Sequence, residues 1–290
     1  MTAKATDRVS QIMSHLAQVT PSLQDKVCIV TGAGSIHGIG RASVFALAKR
    51  GPKAIYVSDL TLDNLQELAK DIEGMGVACY ARAVDAASPS AVTGIIDEAM
   101  KTFGRLDVFF ANAGVASGDR IQDETAESFM RMMRINALSC FLAIKHAGEA
   151  MGVTGPGKAY SGGSIICTAS VAGIRSGAGS PEYSASKAAV INLCQTSAYQ
   201  YAGKDIRVNA ICPGLIETGM TKSTFDYARE RGSAHKIGQL NPTKRYGVSS
   251  EIAHMVAFLA SDEATYINGQ AIAIDGGLSA SHPVVPGKSH

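Results

Sequence analysis

Seven short apolar runs, separated by longer helical patterns, constrain this 290-residue chain more than any other feature. Val27-Cys28-Ile29-Val30, Ala54-Ile55-Tyr56-Val57 and the stretches Val77–Ala83, Leu106–Phe110, Ser164–Thr168, Arg207–Ile211 and Ala271–Ile274 read as strands. Helical patterns over Arg41–Lys49, Leu62–Ile72, Ala91–Thr102, Glu127–Ala150 and Ser180–Ala202 fall between them. Several of the strands are apolar without alternation, which is what burial on both faces demands. Such strands, joined by helical crossovers, predict an α/β fold: a doubly wound parallel sheet of about seven strands in a single domain.

The catalytic body is expected over residues 25–280, after an N-terminal extension (1–24) and before a tail (281–290). In the extension, Val9, Ile12, Met13 and Leu16 recur at helical spacing, so a short amphipathic helix is expected there. Val153–Gly163 is Gly-rich and reads as a surface loop. Residues 219–247 interrupt the strand–helix alternation, and a long excursion of this kind reads as a substrate lid.

The 27 basic and 25 acidic residues leave a charge of +2, so nothing argues for nucleic acid or an anionic membrane as a partner. No run is long enough to span a bilayer, and the first 24 residues hold no signal-like apolar core. The six cysteines lack metal-binding spacing, so no metal site is expected. Most lie in apolar stretches and read as reduced, buried thiols, which points to the cytoplasm.

The first strand runs into Thr31-Gly32-Ala33-Gly34-Ser35-Ile36-His37-Gly38-Ile39-Gly40. Glycines there permit a tight turn and a close approach to a pyrophosphate, with the following helix pointing free N–H groups at the charge. A plain strand-to-helix turn would look similar. Asp59 closes the second strand nineteen positions after Gly40, where a carboxylate can accept from ribose hydroxyls. It would repel a 2′-phosphate and so favours NAD over NADP, although an isolated Asp is as often a cap. His37 pulls the other way, since a partly cationic ring could tolerate phosphate. Asp85 after the third strand and Asn112-Ala113-Gly114 after the fourth also fall at strand C-terminal ends, where open α/β sheets bind ligands.

In Tyr183-Ser184-Ala185-Ser186-Lys187 the Tyr and Lys are four apart and share a helix face. A free tyrosine titrates at about pH 10 and is a poor proton-transfer group at neutrality. A nearby ammonium favours its phenolate. Ser170, thirteen positions earlier, could hold the same substrate oxygen. Each residue alone has an ordinary structural explanation.

Together these motifs resemble the single-domain short-chain dehydrogenases/reductases over residues 25–280. The Gly-rich loop, Asn112-Ala113-Gly114, Asn136, Ser170, Tyr183, Lys187, Pro213-Gly214 and Asp275-Gly276-Gly277 occur in the family's order. The resemblance implies a Rossmann-type fold and a nicotinamide-dependent oxidoreductase acting on a secondary alcohol or ketone. It implies that Tyr183 is the general acid/base, that Lys187 favours its phenolate and binds the nicotinamide ribose, and that Ser170 orients the substrate. It further implies that Asn136 holds a water of a proton relay and that Ile216 and Thr218 fix the carboxamide. Gly32, Gly38, Ile39 and Gly40 align with the family's cofactor loop, with two extra residues between the first two family glycines. Ala111 and Ala169 replace residues common in the family without removing any of these four catalytic positions. Homo-oligomers, tetramers or dimers, are common among such proteins.

A dinucleotide-binding regulator that lost its chemistry is the alternative, although such a protein usually loses the tyrosine or lysine. An epimerase or dehydratase would carry a larger C-terminal domain. Met220, Phe225, Tyr227, Ile237, Leu240 and Tyr246 in the lid suggest an apolar or ring-containing small-molecule substrate, or simply pack the lid onto the body. Arg175, Glu182, Arg229 and Arg231 could meet polar substrate groups, with solvated surface the more ordinary role for each.

Overall fold

A computed structural model describes residues 22–118 and 120–282. The helix expected around Val9–Leu16 and the tail beyond 282 lie outside the described residues. The strands β1 (Val27–Thr31), β2 (Ala54–Asp59), β3 (Ala78–Ala83), β4 (Val108–Ala111), β5 (Gly163–Thr168), β6 (Ile206–Pro213) and β9 (Ala271–Ile274) form one sheet. Its order is β3-β2-β1-β4-β5-β6-β9, and each of its pairs is parallel. This is the doubly wound Rossmann-type sheet. Cys28 pairs with Ile55 on one side and Val108 on the other. The chain winds outward from β1 in both directions, so loops at the C-terminal ends of β1 and β4 diverge and leave a crevice.

Both faces of the sheet are covered, which is why its central strands are apolar throughout. Along β1, Val27 and Ile29 enter one core with Phe109, Cys140 and Ile165. Cys28 and Val30 enter the other with Val44, Phe110 and Val256. The second layer includes α1 (Ile39–Ala48) packed on α8 (Ser249–Ala260). The first includes α3 (Pro89–Phe103), which starts on a proline and stops at Gly104 with φ 69°. All six cysteines are free and buried, and burial pushes Cys79 up to about 12 and Cys212 to about 11.

The sequence predicts one helix over Glu127–Ala150, and the structure divides it. α4 (Ala126–Met133), capped by Thr125, leads into a π turn (Arg134–Leu138), and α5 (Ser139–Met151) follows. The wide turn contains Asn136, whose side chain is bound to Val115 and Ser186 rather than to solvent. The Gly-rich loop at 153–163 is less superficial than expected. Lys158 is buried, with Nζ donating to the carbonyls of Leu106, Met151 and Gly162. α6 (Pro181–Gln200) begins on a proline.

Beyond β6 the chain forms β7 (Ile216–Glu217), α7 (Lys222–Glu230) and β8 (Gly247–Val248). Strands β7 and β8 pair through Ile216 and Gly247, which closes the excursion at its base. Arg245 donates two hydrogen bonds, of 2.9 and 2.6 Å, to Glu251 at the start of α8. That guanidinium and the Val248 N–H hold the Glu251 carboxyl down at about 2. Phe225 and Tyr246 meet edge to face at 4.8 Å, so these two aromatics pack the excursion onto itself.

Gly148 of α5 faces the Tyr201 hydroxyl, which donates to the Ile144 carbonyl at 2.8 Å. A Cβ at Gly148 would stand 2.1 Å from that oxygen. Gly→Ala in an open helix position gains about 1 kcal/mol. Here Gly148→Ala is expected instead to cost about 1–3 kcal/mol through overpacking, read as a lower denaturant midpoint.

Candidate active site

The end of β1 sets the first wall of the crevice. Thr31 Oγ1 accepts the backbone N–H groups of Asn112 and Ala113, at 3.1 and 3.2 Å, and thereby joins the loops after β1 and β4. Gly32 (φ 68°) follows, and Gly40 packs behind it. A Cβ at Gly40 would lie 2.2 Å from the Gly32 carbonyl oxygen, so neither loop nor helix has room for a side chain there. Gly38 is the N-cap of α1 and provides no side-chain cap, leaving N–H groups at the helix end for an anion.

Asp59 at the end of β2 turns toward this loop. Its Oδ2 accepts from Gly34 N–H and its Oδ1 from Leu60 N–H, both at 2.8 Å. A Cβ at Gly34 would come within 2.9 Å of Oδ2, so this glycine is required for the contact. Gly34 and Thr31 hold this wall together and were not singled out from the sequence; the signal for both was their place within the loop motif. His37 is exposed and lies outside the cleft lining, although its carbonyl accepts from Ser249 Oγ at 2.7 Å. Asp85 lines the far end, where Arg134 approaches at 2.8 Å and, with the Ala87 N–H, pulls its carboxyl below the usual range.

A continuous set of hydrogen bonds leads from the loop to the lysine. Asn112 Nδ2 donates to the Gly32 carbonyl at 3.0 Å, and Thr168 Oγ1 donates to Asn112 Oδ1 at 3.1 Å. The Thr168 carbonyl accepts from Lys187 Nζ at 2.7 Å. Lys187 is buried, and its Nζ is 5.6 Å from the Tyr183 ring centroid, so the helical spacing does converge the two. Gly114 makes room above them: a Cβ there would sit 3.4 Å from Nζ and 3.1 Å from Asn136 Oδ1. Ser170 follows β5, and its Oγ accepts the Ala172 N–H at 3.1 Å.

One cleft of about 530 Å³ is lined by Gly32, Gly38, Ile39, Asp59, Asp85, Asn112, Ala113 and Gly114 from the first half of the chain. Ser170, Tyr183, Lys187, Pro213, Gly214, Ile216 and Thr218 line it from the second half. Two residues read from the sequence lie behind the lining. Gly40 supports the loop, and Asn136 is fully buried beneath the wall, fastening Val115 through both its N–H and its carbonyl. Of the apolar residues expected in the 219–247 excursion, Met220 lines the cleft, and Tyr227 and Leu240 are exposed outside it. Arg229 pairs with Glu217 and Asp226 at the surface. Glu182 is not solvated: its side chain is buried at the start of α6. Arg175 is likewise engaged, donating to the Leu278 carbonyl at 2.5 Å. Among the described residues no cluster could hold a metal ion and no helix is long and apolar enough to cross a membrane.

The arrangement joins a Gly-rich loop at an uncapped helix start to a phenol beside an ammonium within one cleft. Residues 32–279 match a family model described as enoyl-(acyl carrier protein) reductase. The chain is 34% identical to the 3-oxoacyl-(acyl-carrier-protein) reductase FabG of Thermotoga maritima, over 88% of this chain and 98% of that protein. It is also 34% identical to levodione reductase of Leifsonia aquatica, over 93% of this chain and all of that one. Cyclohexanol dehydrogenase of an Acinetobacter species is 32% identical, over 88% and 96%. A crystal structure of levodione reductase superposes with a TM-score of 0.81 at 33% identity, covering 90% of this chain and all of that one. With the fold, the cleft and these likenesses in agreement, the chain belongs to the short-chain dehydrogenases/reductases and is an oxidoreductase of that type.

Proposed function

We propose that this enzyme transfers a hydride between a nicotinamide dinucleotide, NAD in preference to NADP, and a secondary alcohol or ketone. The observation that carries the reading is the lining of one cleft by Tyr183, Lys187 and Asp59 together with Gly32, Gly38 and Gly114. The Gly32–Gly40 turn and the uncapped start of α1 suit a pyrophosphate. Asp59, fixed by two N–H groups, suits a ribose diol.

The preference for NAD rests on charge. Arg41 of α1 is committed to the Asn64 carbonyl, Glu67 and Asp71. Among the described residues that line the cleft, the cations are Arg131, Arg134 and Lys187, and Arg134 is paired with Asp85. A 2′-phosphate would therefore meet the Asp59 carboxylate.

When bound, the nicotinamide supplies or accepts the hydride. Tyr183 gives its phenolic proton to the carbonyl oxygen in reduction and takes it back in oxidation. Lys187 stabilises the phenolate through its charge and holds its own position by donating to the Thr168 carbonyl. Ser170 holds the same substrate oxygen by a hydrogen bond and so orients it. Asn136 fixes the wall at Val115, and in this reading a relay water would bind at the π turn that carries it. Val115, Ile216 and Met220 give the cleft an apolar surface. With the likeness to a dehydrogenase named for a ring alcohol, this supports an apolar or ring-containing substrate.

The six buried free thiols fit a reducing compartment, the cytoplasm. Exposed Met130 and Phe141 on α4 and α5 support a homo-oligomer, a tetramer or dimer, and light scattering that gave a monomer mass at micromolar concentration would contradict it.

Turnover of NADH with a panel of cyclic and acyclic ketones tests the central reading, and dinucleotide binding without turnover would favour a regulator instead. In that assay Tyr183→Phe is expected to lower kcat by about 10²–10⁴-fold, the usual scale of lost acid–base catalysis. Asp59→Ala is expected to raise the ratio of NADP to NAD kcat/KM by about tenfold or more, and an unchanged ratio would remove the charge argument.

A further inference from the structure

Glu182 precedes the catalytic tyrosine and is only 1% exposed. Its Oε1 accepts hydrogen bonds from Ser180 Oγ, at 2.5 Å, and from Ser117 Oγ. The two hydroxyl oxygens are 3.0 Å apart. Its Oε2 is buried with no hydrogen-bond partner, and among the described residues no cation pairs with the carboxylate. As a stabilising device this is poor. A buried carboxylate loses its hydration, and an oxygen left without a donor recovers none of that loss. The N-terminal end of α6 offsets part of it.

Position gives the side chain another use. Residues four apart share a helix face, so Glu182 and Ser186 stand one above the other on α6. Ser186 Oγ accepts from Asn136 Nδ2 at 3.0 Å, and Asn136 grips Val115. One turn higher, Glu182 grips Ser117. The segment between Gly114 and Ser117, which forms a wall of the cleft at Val115, is thus fastened twice to the face of α6 that adjoins Tyr183.

We propose that Glu182 is a positioning residue: it clasps the loop after β4 to the first turn of α6 and so fixes Tyr183 relative to that wall. The proposal rests on the reading of Tyr183 as the acid/base. Both hydroxyls donate to the one oxygen Oε1, so the clasp needs a buried acceptor at this position, which glutamine keeps and methionine removes. Small displacements of a proton-transfer group lower the chemical rate while leaving cofactor binding in place.

The test compares wild type with Glu182→Met, Glu182→Gln and Ser117→Ala, measuring kcat with a ketone turned over by wild type, NADH affinity by fluorescence, and melting temperature. Methionine keeps the volume and removes the acceptor. Glu182→Met is expected to lower kcat about tenfold, with NADH affinity within twofold and a melting temperature at or above wild type. Glu182→Gln, which keeps one acceptor oxygen, is expected to stay within about threefold of wild type. Ser117→Ala is expected to lower kcat, and adding it to Glu182→Met should cost nothing further, since both break one contact.

A Glu182→Met kcat within twofold of wild type would overturn the proposal, as would multiplying losses in the double variant. A fall in melting temperature that accompanies the loss of rate would assign Glu182 to folding instead and overturn it too. If Glu182→Met does not fold, Ser117→Ala at wild-type kcat overturns it alone. Wild type without turnover on any carbonyl would instead remove the acid/base reading, and this proposal with it.

Discussion

A buried ammonium that, among the described residues, has no carboxylate partner stands at the centre of the candidate active site. Lys187 is 3% exposed, and among the described residues its hydrogen bond goes to the Thr168 carbonyl. A lysine so placed is held by dipoles and by the Tyr183 ring rather than by an ion pair. Among the described residues no carboxylate neutralises its charge, and it lies beside the Tyr183 ring. The position of Thr168 in turn depends on β5 pairing with β4 and β6, and the Thr168 hydroxyl reaches through Asn112 to the Gly-rich loop. The sheet, the loop and Lys187 are thus parts of one hydrogen-bonded frame.

That frame explains where glycine is obligatory. At Gly114 a side chain would press on Nζ and Asn136, and at Gly40 it would strike the Gly32 carbonyl. At Gly34 it would displace the Asp59 carboxylate. These are close approaches of backbone to polar groups, and flexibility has no part in them. The same reasoning separates the two halves of the molecule. The sheet is stabilised by apolar layers on both faces, whereas the cleft is lined by polar groups such as Asp59, Asn112, Ser170 and Lys187.

The fold was legible because its strands are apolar on both faces, a pattern that few architectures other than a covered parallel sheet permit. The order of Gly loop, Asn136, Ser170, Tyr183 and Lys187 was legible as well, and four-residue spacing on a helix is enough to bring a phenol to an ammonium. The single helix expected across Glu127–Ala150 concealed a π turn, because hydrophobic periodicity is blind to a widened turn that side-chain bonds impose. Glu182 read as a solvated acid for a similar reason: charge in a sequence suggests water, and its burial depends on the loop that carries Ser117, 65 positions away.

The sequence by itself determined the sheet, the residue types of the catalytic set and the acidic residue at the end of the second strand, because these follow from local periodicity and short spacings. Tertiary structure alone decided which groups meet across it: Thr31 with the loop after β4, Gly34 with Asp59, Asn136 with Val115, and Glu182 with Ser117. Those contacts join residues 21 to 81 positions apart, and their geometry is set by how layers pack, which no local pattern encodes.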